Sequence, residues 1–98
     1  MKGIANKPVI VEWEDSVQYD EGWHLKSDIK PDDVKYCISY GEIVAEDDDS
    51  IVVAGHVGRQ QDGHHEQSFG MLTIPRSAIL SIRRLNRGKL LVSKNPEQ

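Results

Sequence analysis

Ninety-eight residues, 38% of them apolar, set the scale at one domain whose core can support folding with little surplus. No apolar run approaches the ~18 residues of a membrane span and residues 1–9 carry no secretory core, while a single cysteine, Cys37, rules out an internal disulfide and fits a reducing cytoplasm. The net charge of −4 is unevenly laid out: residues 1–53 hold 13 acids and 5 bases, residues 54–98 hold 3 acids and 7 bases. Such a field can steer an anionic ligand to one surface or help copies dock.

In chain order, residues 1–8 read as a flexible lead, with Pro8 able to open a strand because its missing N–H matters least at an end. Val9 to Trp13 is the first predicted strand, and the alternation of Val9, Val11 and Trp13 places the indole in or over the core. Residues 14–35 are polar and turn-rich. Ser27 or Asp28 can cap one helical turn there, and Pro31 prevents a longer helix. A long excursion in so small a domain points to function.

Residues 36–57 form the predicted central hairpin. Tyr36, Ile38 and Tyr40 alternate with Cys37, Ser39 and Gly41, the period-two signature of a strand with one buried face. Gly41 is expected to mark a bulge or bend. The acidic stretch 46–50 is a turn whose side chains bond their own backbone, and Ile51 to Ala54 is β-branched enough to be covered on both sides. A second polar loop spans residues 58–69. Residues 70–74 return to strand, Pro75 to Ala78 make a tight turn, and residues 79–85 form the last strand, with Ile79 and Ile82 directed at the core. Residues 86–98 make a basic tail in which Leu90-Leu91-Val92 can extend a strand or dock on a partner.

Five short strands with a tight turn before the last predict a mostly β fold, a small five-stranded SH3-like or Sm-like barrel over residues 9–85 with long polar loops. In residues 70–85 the elements Ile74-Pro75, Ala78-Ile79 and Ser81-Ile82 resemble the closing strands of Sm-like barrels. Trp13-Glu14-Asp15-Ser16, Gly22-Trp23, Cys37 to Gly41 and Ile74-Pro75 are similar to small proteins encoded by phages and prophages. The Sm-like resemblance implies homo-oligomers assembled by edge-strand pairing. It does not carry RNA binding with it, because the stretch 74–79 lacks the basic-histidine signature of the RNA-binding branch.

The ligand-binding candidates are Trp23, His24, Arg76, Arg83 and Arg87: an aromatic pair in the first loop and guanidinium forks suited to phosphate oxygens. Trp23 is expected either to pin its loop onto the barrel as a lid or to stack on a base or partner side chain. Alternation puts Arg83 and Arg84 on opposite faces of the last strand. His64-His65-Glu66 lacks metal-ligand spacing and reads as a solvated loop. Asp47 to Asp49 lacks the glycine and distal glutamate of a calcium loop, and Cys37 reads as a packed thiol. No nucleophile, phosphate loop or metal motif points to an enzyme or a cofactor.

The expectation is therefore a cytoplasmic, non-enzymatic, homo-oligomeric phage-type protein. It would bind or sequester a small anionic nucleotide-type ligand, such as a host-defence signal, at subunit interfaces. An adaptor docking on a host or phage protein and an RNA-binding ring are the alternatives.

Overall fold

The computed structural model describes residues 7–59, 66–86 and 88–94. Five strands, β1 (Pro8–Asp15), β2 (Lys35–Glu46), β3 (Ser50–Gly58), β4 (Gln67–Pro75) and β5 (Ile79–Arg84), are joined by two single turns of 3₁₀-helix, Lys26–Asp28 and Arg76–Ala78. All pairings are antiparallel, in the order β4-β3-β2-β1-β5.

The sheet is open, which corrects the expectation of a closed barrel. Only the turn Arg76–Ala78 separates β4 from β5, yet β5 pairs with β1 and forms no ladder with β4, so the ring is not completed. Two edges, β4 and β5, are left.

The core is built on one face of the curved sheet. Val9, Val11 and Trp13 of β1, Ile43 of β2, Ile51 and Val53 of β3 and Ile74 of β4 are buried, with Cys37, Ala78, Ile79 and Ile82 packed against them. The assignments of Trp13, Ile79 and Ile82 to the core hold, and the thiol of Cys37 is packed as expected. The period-two pattern of β2 holds, with one face turned to the core. Tyr36, Ile38 and Tyr40 face outwards, and the small residues of β2 face the core. Directly opposed residues in an antiparallel pair share a face, and Trp13 stands opposite Cys37, Val11 opposite Ser39 and Val9 opposite Gly41. The indole fills the space that larger side chains on β2 would need, and its Nε1 donates to Ser39 Oγ at 3.0 Å.

Gly41 is required by close approach. A Cβ on it would lie 2.5 Å from the Ala54 carbonyl oxygen and 2.7 Å from Val53 Cγ1. The irregularity expected there falls further along, where the β2–β3 register shifts between Ile43 and Ala45. The acidic turn does bond its own backbone. Asp47 Oδ1 accepts from the amides of Asp49 and Ser50, both at 2.8 Å. These bonds hold the Asp47 carboxyl below the usual carboxylate range.

Candidate functional site

The outward face of β2–β1–β5 follows from the same registers. Ile10 lies between Tyr40 on one side and Arg83 on the other, Glu12 stands opposite Ile38, and Glu14 opposite Tyr36. Tyr36 is 54% exposed, Ile38 46% and Tyr40 64%, an aromatic and aliphatic row on the open side of a sheet. One phenol is anchored: Tyr36 OH donates to Glu12 Oε2 at 2.7 Å. That hydrogen bond, with some loss of solvent and the Glu12 charge, raises the Tyr36 pKa above its ordinary value of 10.0, while the nearby positive charge of Arg83 works against the rise. Tyr40 has no such tether, and Arg83 has no carboxylate within ion-pair distance among the described residues.

Tyr40 also forms one wall of an open groove of about 390 Å³, lined further by Pro8, Glu42, Gly55, Arg59 and Leu85. Arg59 is already engaged there. It pairs with Glu42 and, at 3.5 Å, with Glu66. Tyr40 and Arg83 stand on the same face, two strands apart with Ile10 between them.

The residues anticipated from sequence are not gathered at one place. Trp23 is fully solvent-exposed in the loop of residues 16–34, so it is not a lid on the sheet; the loop contributes no side chain to the core that could hold an indole against it. His24 meets Tyr19 edge to face at 5.2 Å, with its Nε2 3.3 Å from the Asp20 carbonyl, a cluster internal to the loop. Arg76 is structural in its contacts: its Nε donates to the Asp47 carbonyl at 2.7 Å and its amide to the Asp49 carbonyl at 2.9 Å. Arg83 joins the tyrosine face, and Arg84, opposite Val9, is on the other side of the strand as alternation required. Arg87, His64 and His65 lie outside the described residues. No group of three metal-capable side chains converges among the described residues.

Sequence reasoning missed Tyr36 and Tyr40 as surface groups. The available signal was the partner strand: once Val9, Val11 and Trp13 are taken as inward, the bulk of Trp13 requires small residues opposite it.

Comparison of the chain with protein-family models, characterised proteins and solved structures returns no match. No helix among the described residues is long and apolar enough to cross a membrane.

Proposed function

We propose that this protein is a non-enzymatic, homo-oligomeric binding module that holds a small anionic nucleotide-type ligand on the tyrosine face of β2–β1–β5, at an interface between copies. The observation that carries this reading is that exposed Tyr40, which lines the groove of Glu42 and Arg59, shares a sheet face with Arg83, which has no carboxylate partner among the described residues, so that a base could stack on the ring and a phosphate meet the guanidinium. Two uncovered sheet edges favour assembly, because unpaired strand N–H and C=O groups are templates for another copy. The strand order, with a single 3₁₀ turn before the last strand, supports placing the fold in the SH3-like or Sm-like class. A role in sequestering a signal nucleotide is read from the resemblance of its short motifs to phage-encoded proteins.

The test is thermal stabilisation by a panel of mono-, di- and cyclic nucleotides. A ligand at 100 times its dissociation constant adds about 2.7 kcal/mol. Stabilisation by one class of nucleotide, abolished in both Tyr40→Ala and Arg83→Ala, is the expected result. No response to any nucleotide removes the reading. Retention of RNA that weakens steeply with salt, in place of a nucleotide response, would move the assignment to an RNA-binding ring.

A further inference from the structure

The loop of residues 16–34 carries apolar side chains that its own fold leaves in water. Trp23 is fully exposed, Leu25 is 71% exposed and Ile29 52%. None belongs to the core cluster, and the loop's hydrogen bonds are short-range, apart from the Lys30 amide reaching Tyr19 OH at 3.4 Å within the loop itself. The same loop is acidic, with Asp20, Glu21, Asp28, Asp32 and Asp33 against Lys26 and Lys30.

The C-terminal segment is its counterpart in both respects. Leu90, Leu91 and Val92 are 60%, 84% and 87% exposed. They sit in a stretch, residues 83–94, that has three arginines and two lysines and no acid. Within one copy the two segments stand uncovered at the same time. The molecule is elongated, with a radius of gyration of 18.6 Å against about 13 Å for a compact domain of this length.

We propose that the acidic loop of one copy clasps the basic C-terminal segment of a second copy, burying Trp23, Leu25 and Ile29 against Leu90, Leu91 and Val92. This rests on the homo-oligomeric part of the proposed function and adds the surfaces that make the oligomer. Two uncovered apolar segments with opposite charge satisfy each other: burial of the side chains supplies the favourable free energy, and the charges set orientation and reject like surfaces.

The test is sedimentation equilibrium together with acrylamide quenching of tryptophan in the full-length protein. Trp13, buried in the core, serves as the internal reference. The expected result is an oligomer in which Trp23 is shielded. Replacing Leu90, Leu91 and Val92 together by serine should weaken self-association by more than about tenfold and expose Trp23 to quencher. Lys89→Glu with Lys94→Glu should do the same, and mixing that variant with copies carrying Asp20→Lys and Glu21→Lys should restore both mass and shielding. An oligomer in which Trp23 quenches freely, or tail variants that keep both mass and shielding, overturns the clasp. A nucleotide response that survives in such an oligomer leaves the ligand reading standing, whereas a monomeric wild type removes the clasp and the interface site together.

Discussion

Tyr36 and Trp13 occupy opposite faces of the same sheet, and each is fixed by one hydrogen bond. The indole of Trp13 donates to Ser39 inside the core, and the phenol of Tyr36 donates to Glu12 on the outer face. The second contact predicts a pH response. Because the folded-state pKa of Tyr36 is raised, the protonated phenol is favoured by folding. Its contribution is fully present below the unfolded value and is lost as pH rises through the higher folded value. Glu12→Gln removes both the carboxylate acceptor and its charge, so the phenol should ionise closer to pH 10. An ultraviolet absorbance titration of the variant against wild type reads this directly. Identical curves would show that the Glu12 contact does not govern the phenol.

At the scale of elements, the pair β2–β3 depends on a residue without a side chain. Strand β2 passes β3 so closely at Gly41 that an added methyl group would enter the Ala54 carbonyl and the Val53 side chain. Of these, the backbone cannot move without disturbing the ladder between Glu42 and Ala54. Gly41→Ala should therefore destabilise by about 1–3 kcal/mol, the usual range for overpacking. Urea unfolding should show it as a lower midpoint with an unchanged slope. A midpoint equal to wild type would mean that the strands separate at no cost there. The turn after β2 is reinforced differently, by Asp47 accepting from two amides and by Arg76 donating to the Asp47 carbonyl. The turn Arg76–Ala78 is thereby tied to the β2–β3 hairpin.

The whole molecule combines a small core with large uncovered apolar surface. Seven side chains form the buried cluster, while the tyrosine face, the loop of residues 16–34, the C-terminal segment and β4 residues Phe69 and Met71 remain in solvent. A fold stabilised further by its own copies has a midpoint that depends on protein concentration. Thermal unfolding over a hundredfold dilution series, about two decades in the linkage relation, should accordingly move to lower temperature as the protein is diluted. A midpoint independent of concentration would show that the single copy carries all of the stability. High salt should weaken the proposed assembly, since the acidic loop and the basic segment of the clasp are exposed and screened by ions.

Strand number, the position of Trp13 and the last turn were legible in the sequence because each rests on local pattern: alternation, β-branching, and proline and polar residues that break strands. The self-bonded acidic turn was legible for the same reason. Which face of β2 is buried was not, because Tyr-x-Ile-x-Tyr and Cys-x-Ser-x-Gly are both consistent with period two. The choice depends on what β1 presents across the ladder, and the volume of Trp13 decides it. Closure of the sheet was likewise undetermined, since it needs a ladder between the end strands β4 and β5, which depends on how all five strands lie in space. The strands and the uneven charge are written in local pattern; that the tyrosines and Trp23 face water emerges only from packing, because burial is a property of what stands opposite a residue and not of the residue alone.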